Sequence, residues 1–309
     1  MTVDVGVVTW NTRDLTVRSL RRLLDTNQGC SIRLLVRDNG STDGTVQAIR
    51  DHVPEAELDA GADNLGFAAG MNTLLARSGA PWFLCLNSDA WPDDAAVGAL
   101  VAAGESSPAI AAVAPRLERP DGTLEHSTHP FPSIPIAAAA ALGGARVLPD
   151  WLAERWCLEG AWGHDRSRSV DWAVGAALLM RREAIEQVGA FDDRFFMYTE
   201  DLEWCWRAGR RGWEIRFEPS AVVRHVGNAS GGQVYGDRRT RAYLLNTYRF
   251  YRRHHGALAT AAYRSLNLAG SLRNYGIARM RKNHPLAAFW RDQLRVHVEP
   301  VPAVDGRPT

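Results

Sequence analysis

VDVGVVTWNTRDLTVRSLRRLLDTNQGCSIRLLVRDNGSTDGT, residues 3 to 45, decides the fold. Val3 to Thr9 is a nearly unbroken β-branched run, the pattern of a parallel strand buried on both faces. Asn11-Thr12 can cap a helix over Asp14 to Leu24, where Leu15, Leu20, Leu23 and Leu24 supply an apolar stripe. Ile32 to Val36 reads as a second strand. It runs into Asp38-Asn39-Gly40-Ser41-Thr42-Asp43-Gly44, a run of turn formers, before another helical stretch. The alternation continues with a weak strand near Glu57 to Asp59, the loop Ala62-Asp63-Asn64-Leu65-Gly66 and a helix from Phe67 to Arg77. A strand over Trp82 to Leu86 then ends in Asn87-Ser88-Asp89. Strands and helices in this order predict an α/β fold, with a mostly parallel, doubly wound sheet flanked by helices.

Ligands of such sheets bind beyond the carboxyl ends of the strands. The polar clusters Thr9 to Asn11, Asp38 to Asp43, Asn64 to Gly66 and Asn87 to Asp89 all fall there. Each alone is equally a plain turn; four in succession on one rim predict a site. The first turn lacks GxGxxG, against a dinucleotide-binding dehydrogenase, and no GxxxxGK[ST] appears, against a P-loop nucleotidase.

Composition sets further bounds. Hydrophobic content of 46% and charge of 23% over 309 residues are ordinary for a globular chain, and a net charge of +1 gives no global field for nucleic acid. Cys30, Cys85, Cys157 and Cys205 stand far apart, suiting neither a disulfide framework nor a zinc site and pointing to a reducing cytosol. The opening MTVDVGVVTWN has no signal-peptide pattern, and Ile136 to Leu142 is too short to span a bilayer. The expectation is a cytoplasmic protein.

Chemistry concentrates in residues 171 to 230. An aromatic patch, Phe191, Phe195, Phe196 and Tyr198, precedes the carboxylates Glu200, Asp201 and Glu203 at the start of a helical segment, and His225 follows. Carboxylates beside aromatic surface lose hydration, which raises their pKa and suits proton transfer. The same letters also fit a plain N-cap with an acidic first turn.

Taken in order, VGVVTWN, VRDNGSTDGT, DNLGFAAGMN, FLCLNSDAWPD and GAALLMRREAIEQVGAFDDRFFMYTEDLEWCWRAGRRGW, followed by His225, resemble family 2 glycosyltransferases of the GT-A fold, rhamnosyltransferase-like members above all. The resemblance spans about residues 3 to 230 and implies a metal-assisted, inverting transfer of a sugar from a nucleotide diphosphate. It implies a catalytic domain over 1–232, with a nucleotide-binding half to about 115 and an acceptor half beyond. Asp38 is carried over as the contact to a uracil or thymine base, with Thr9, Trp10 and Asn11 around base and ribose. Asn64 and Gly66 would face phosphate or ribose, Asn72 and Asn87 the ribose or donor sugar, and Asp171, Trp172 and Gly175 the sugar itself. Asp89 and His225 are the implied ligands of Mg²⁺ or Mn²⁺; His225 could also touch the diphosphate directly. Asp201 is the implied general base, with Glu200 beside it orienting a group or binding acceptor. The motif Asn87-Ser88-Asp89 departs from the family by keeping one acid where two or three are usual, and Asn39 stands where many relatives have an Asp. The expected donor is a dTDP- or UDP-sugar, dTDP-L-rhamnose first, and the acceptor a glycan, a lipid-linked sugar or a small molecule. Another UDP-, dTDP- or GDP-sugar, or a non-catalytic carbohydrate-binding scaffold, remains the alternative. A sugar nucleotidyltransferase would need a glycine- and lysine-rich loop near the first strand, and none is present.

Ser127 to Asp165 has no clear period and reads as a variable loop with short helices over the acceptor side. Beyond it, 233–309 reads as a helical C-terminal appendage. Asp237 to His255 and Ala257 to Lys282 are helical, and Arg238, Arg239, Arg241, Arg249, Arg252, Arg253, Arg264, Arg273, Arg279, Arg281 and Lys282 make a basic block. Such helices suit an anionic membrane surface, placing the protein on the inner face of the cell membrane, or equally a packed face or homodimer interface. No nucleic-acid motif accompanies them.

Overall fold

The computed structural model describes residues 2–227 and 239–301. The chain divides into two compact units. The first takes in 2–129 and 164–227 of the described residues, the second 130–163 and 239–301.

In the first unit the predicted alternation is realised in chain order: β1 (Thr2–Thr9), α1 (Arg13–Asp25), β2 (Ser31–Asp38), α2 (Thr45–His52), β3 (Glu57–Ala60), α3 (Phe67–Arg77), β4 (Trp82–Asn87), β5 (Ala90–Pro92) and α4 (Ala96–Glu105). β6 (Ile110–Glu118) follows, then β7 (Leu124–Glu125) and β8 (Thr128–His129). The sheet runs β3-β2-β1-β4, all parallel, because each β–α–β crossover returns the chain in the same sense. Val3, Val5 and Val7 are fully buried, as the β-branched run predicted. Asp4 is buried among them and is satisfied: its Oδ2 accepts from Ser78 Oγ at 2.7 Å and from the amides of Gly79 and Ala80. That carboxylate pins the α3–β4 connection.

Thr12 precedes α1, but its side chain does not cap the helix. Its hydroxyl joins those of Thr9 and Thr16 at 3.0 and 2.9 Å, and the buried cluster ties α1 to the end of β1. A buried hydroxyl with two hydroxyl neighbours is satisfied without reaching the helix amides.

α5 (Ile134–Leu142), a 3-10 turn (Gly144–Val147) and α6 (Asp150–Arg155) belong to the second unit. The chain then re-enters the first unit through β9 (Arg168–Val170), β10 (Trp172–Ala173), β11 (Ala177–Arg181), α7 (Arg182–Val188), α8 (Glu200–Arg210) and β12 (Glu214–His225). β11 lies antiparallel between β4 and β6, β12 runs parallel to β6, and β5 closes that end, antiparallel to β12. β7 turns back on β6 through Pro120-Asp121-Gly122, while β8 and β10 form a separate antiparallel pair.

The second unit is completed by α9 (Arg239–Met280), kinked at Gly256, and α10 (His284–Val296). Residues 130–163, most of the Ser127 to Asp165 stretch read from sequence as a variable loop with short helices over the acceptor side, pack with the C-terminal helices: Gly270 of α9 approaches Ala141 of α5 closely, and Arg273 donates to the Ala141 carbonyl at 3.1 Å. The basic block splits. Arg241 pairs with Glu299, and Arg264 donates to the carbonyls of His297 and Glu299. Arg252, Arg253, Arg279, Arg281 and Lys282 stay exposed. Asp237, Arg238 and residues 302–309 lie outside the described residues. Among the described residues no helix is long and apolar enough to cross a membrane.

Candidate active site

The sequence motifs converge at the carboxyl ends of β1, β2 and β4. Asp38 closes β2 and is fully buried. Its Oδ1 accepts from the amides of Gly40 and Ser41 at 3.1 and 2.8 Å, the turn its neighbours predicted. Its Oδ2 is buried with no hydrogen-bond partner among the described residues. An unsatisfied buried carboxylate oxygen costs on the order of 1–3 kcal/mol, a cost a donor N–H from a ligand would remove.

The neighbouring loops are stitched together. Asn11, at φ 50, accepts the Thr42 amide on its Oδ1 at 2.8 Å, and its own amide donates to Ser41 Oγ at 2.8 Å. Trp10 is half-buried between them in sequence, while Thr9 turns into the hydroxyl cluster. Asn39 donates to the Gly66 carbonyl at 2.9 Å, and Asn64 accepts the Gly66 amide at 3.0 Å. Gly66 is required there: its φ is +83, and a Cβ would stand 2.2 Å from the Phe196 carbonyl oxygen. That approach lets the amide of Phe67 donate to Phe196, joining the start of α3 to the segment that carries Asp201. Both ends of the Asn72 amide hold the backbone of Phe191, at 2.8 and 3.0 Å, so Asn72 braces that segment.

Asp201 is positioned by several such ties. Trp204, fully buried, donates to Gly189, and Arg207 bonds the carbonyls of Val188 and Ala190 while pairing with Glu203. Tyr198 and Thr199 enter α8 at φ 71 and 83, and a β-branched residue there is strained. The helix then opens with Glu200 and Asp201. Asp201 Oδ2 accepts the amide of Gly175 and Oδ1 that of Leu202, both at 2.8 Å. Burial raises its pKa, and these amide bonds act against the rise. Glu200 is held well above the ordinary carboxylate range, by burial first and by the charge of Asp201 second; its Oε2 is buried without a partner among the described residues. Both carboxyls are therefore shifted upward, and Asp201, partly open to solvent, is the one whose rise is opposed by the amides of Gly175 and Leu202.

The sign of this effect on stability is definite. Glu200 binds its proton more tightly folded than unfolded, so its contribution is present at low pH and is lost as pH rises through the raised folded-state value. Glu200→Gln, which keeps the shape and never ionises, should raise the melting temperature more at pH 8 than at pH 5. The expected gain is on the order of 1 kcal/mol, about 2–4 °C. Equal shifts at the two pH values in a thermal melt would refute it.

Gly175 links the two acids. Its amide binds Asp201, and the next residue, Ala176, accepts the amide of Asn87 at 2.9 Å, two positions before Asp89. β11 against β4 thus brings Asp201 to the strand end that carries Asp89. Trp172, buried, stacks on His129 at 4.7 Å in the wall that precedes Gly175, and Asp171 beside it is exposed.

His225, at the end of β12, faces Asp89 and Asn87: Nε2 lies 3.3 Å from Asp89 Oδ1 and 3.3 Å from Asn87 Nδ2. Its Nδ1 lies 3.0 Å from Glu125 Oε2. Burial works against the imidazolium, but hydrogen bonds and charge from Asp89 and Glu125 outweigh it and hold the pKa up at about 9. Glu125 is the site residue that sequence reading missed. The available signal was Asp121-Gly122, a hairpin turn that folds β7 onto β6 and carries Glu125 to His225. Among the described residues no three His, Cys, Asp or Glu side chains converge on a metal position. Asp89 and His225 would offer one carboxylate and, once a metal displaces the Nε2 proton, one imidazole, which suits a divalent ion whose other ligands are diphosphate oxygens and water.

Comparison with known proteins agrees with this geometry. The Glycosyl transferase family 2 model matches residues 4–189, well over half of the chain. The N-acetylglucosaminyl-diphospho-decaprenol L-rhamnosyltransferase of Mycobacterium tuberculosis is 34% identical over 209 residues, 63% of this chain and 66% of that protein. The chain thus matches just under two thirds of the length of that curated relative. The Pre-mycofactocin glycosyltransferase of the same organism is 29% identical over 215 residues, covering 67% of this chain and 39% of its own length. Among solved structures, the mannosyltransferase PcManGT of Pyrobaculum calidifontis, in complex with GDP-Man and Mn²⁺, superposes with a TM-score of 0.58 at 16% identity. That match covers 96% of this chain and 83% of that one, and at this identity it speaks for the GT-A fold alone. With fold, motif order and family model in agreement, the chain belongs to glycosyl transferase family 2.

Proposed function

We propose that the protein is an inverting, rhamnosyltransferase-like enzyme that moves a sugar from a dTDP- or UDP-sugar to a hydroxyl of a glycan or lipid-linked acceptor. The observation that carries this reading is the path Asp89–Asn87–Ala176–Gly175–Asp201, which supports placing a diphosphate-facing acid and an acceptor-facing acid at one strand end. The relative that acts on a diphospho-decaprenol acceptor supports L-rhamnose as donor sugar and a lipid-linked glycan as acceptor.

In this reading Asp38 Oδ2 accepts the N3–H of the pyrimidine base, and the loops of Asn11, Asn64 and Gly66 shape the nucleoside pocket, with Trp10 at its edge. Asn87 and the wall of Trp172 and Gly175 border the donor sugar. Asp201, ionised, takes the acceptor proton as its hydroxyl attacks the anomeric carbon, opposite the departing diphosphate. Glu200, protonated and unsatisfied, can donate to an acceptor or sugar oxygen. Bound by Asp89 and His225, a divalent ion (Mn²⁺ or Mg²⁺) would neutralise the charge that develops on the leaving diphosphate.

Glu125 acts behind His225 in this scheme, orienting the ring so that Nε2 faces Asp89. Removing a carboxylate that orients a metal-binding His typically weakens metal affinity about 10–100-fold. Glu125→Gln should show that loss in calorimetric Mn²⁺ titrations with nucleotide diphosphate present, and Glu125→Asp should restore part of it. An unchanged titration would remove Glu125 from the scheme.

The direct test is a panel of nucleotide sugars with Mn²⁺, read by thermal shift and by slow donor hydrolysis, since a bound donor stabilises the fold. A response confined to pyrimidine donors is expected, with dTDP-L-rhamnose strongest; a response to GDP-sugars alone, or to none, would overturn it. Asp38→Asn, which places an amide against N3–H, should weaken uridine and thymidine diphosphates about 10-fold or more in the same assay.

A further inference from the structure

The first unit also has a cavity that none of the site residues lines. It measures about 310 Å³ and lies between α1 and the β5–β12 ribbon, with Arg18, Arg22, Trp91, Arg224 and Val226 on its walls. Asp93 is its one acidic lining residue against three arginines.

The arginines differ in how they are held. Arg224 is clamped by Asp93 at 2.8 Å and by Glu118 at 2.8 Å, which makes it a fixed wall. Four arginines lie on α1. Arg13 and Arg21 have carboxylate partners in Asp14 and Glu55. The two that face the cavity, Arg18 and Arg22, have none among the described residues. They are four positions apart on one helix face, where like charges repel. Arg22 lies 4.4 Å over the ring of Trp91, which fixes its guanidinium toward the cavity. Two guanidinium groups with no carboxylate partner among the described residues, one of them held by Trp91, beside a rigid third suit a phosphate.

Apolar surface gathers on the same edge. Among the described residues of this unit, Leu124 and Val226 are the two large hydrophobic side chains left exposed. Val226 lines the cavity, as does Pro120 in the turn that leads to Leu124. Leu124 is the register partner of Glu118, and Glu118 binds Arg224. Arg224 and Trp91 are likewise register partners, so their side chains leave one face of the β5–β12 ribbon, while His225 with Ala90 leaves the other. A charged pocket rimmed by exposed aliphatic groups matches the boundary between headgroup and acyl chain, where an amphipathic surface meets a bilayer.

We propose that this cavity binds the phosphate of an anionic lipid, with Arg18, Arg22 and Arg224 around the phosphate and Pro120, Leu124 and Val226 against the adjoining chain. It places a lipid contact one ribbon away from His225, distinct from the basic C-terminal helices. The proposal does not depend on the glycosyl-transfer reading, since binding is measured without donor or turnover. Failure of one leaves the other standing.

The test is flotation of the full chain with phosphatidylcholine vesicles, with and without phosphatidylglycerol. Each basic residue near an anionic surface is worth about 5-fold in affinity, so Arg18→Gln/Arg22→Gln should bind anionic vesicles roughly 25-fold more weakly, with an unaltered thermal melt. Arg18→Lys/Arg22→Lys, which keeps the charge, should recover most of the binding. Leu124→Ser/Val226→Ser should weaken vesicle binding and leave any thermal shift by soluble glycerol phosphate intact. Wild-type vesicle binding by the double Gln variant would overturn the proposal, as would loss of binding only when Arg279, Arg281 and Lys282 are replaced. A site satisfied by inorganic phosphate, with no preference for vesicles, would overturn the lipid assignment.

Discussion

Asp201→Asn is expected to lower kcat about 10²–10⁴-fold, the usual cost of removing a positioned general base, with the donor KM changed only a few-fold. The amide keeps the shape, and its Oδ1 can still accept one of the backbone amides that Gly175 and Leu202 now donate to the carboxylate. The fold should therefore survive, and a thermal melt separates lost chemistry from lost structure. Asp201 is partly open to solvent whereas Glu200 is 5% exposed, and two backbone amides favour the charged form of Asp201 while burial and the charge of Asp201 disfavour that of Glu200. This asymmetry favours Asp201 as the base in the proposed scheme. Near-normal turnover in Asp201→Asn together with a comparable loss in Glu200→Gln would exchange the two roles.

Asp89→Asn is expected to abolish nearly all transfer, and unlike Asp201→Asn to weaken Mn²⁺ and nucleotide diphosphate together. Where relatives carry two or three acids, this chain has Asn87-Ser88-Asp89, so no second carboxylate of the motif can stand in. The substitution also removes a charge 3.3 Å from His225 Nε2. Calorimetric titration of Mn²⁺ with and without nucleotide diphosphate provides a readout apart from turnover. Activity within a few-fold of wild type at saturating metal would remove Asp89 from the diphosphate side of the site.

Several elements could be read directly from the chain. The β-branched run Val3 to Thr9, the leucine stripe of α1 and the span Phe67 to Arg77 are local patterns, and they formed where period and composition placed them. The polar rim, with Asp38 at one strand end and Asp89 after another, followed from that alternation, because a parallel sheet puts every β–α turn on the same edge. A local pattern misled where a side chain found another partner: Thr12 joined the hydroxyls of Thr9 and Thr16 instead of capping α1. No local pattern showed that Asn72 braces the backbone of Phe191, 119 positions away. The stretch Ser127 to Asp165 showed no period, and nothing in it signalled that α5 packs against Gly270 and Arg273 of α9, more than a hundred positions later.

By itself, then, the sequence determined the sheet and its order of turns, the family, and which carboxylates stand at strand and helix ends. All of these depend on spacing along the chain. Only the tertiary structure decided that Glu125 backs His225, that the orphan oxygen of Asp38 is buried and that burial raises the pKa of Glu200 and Asp201 together. It alone drew Arg18 and Arg22 together with Arg224 around one cavity. These depend on burial and on distances between residues far apart in sequence, and desolvation and Coulomb energy act on distance in space.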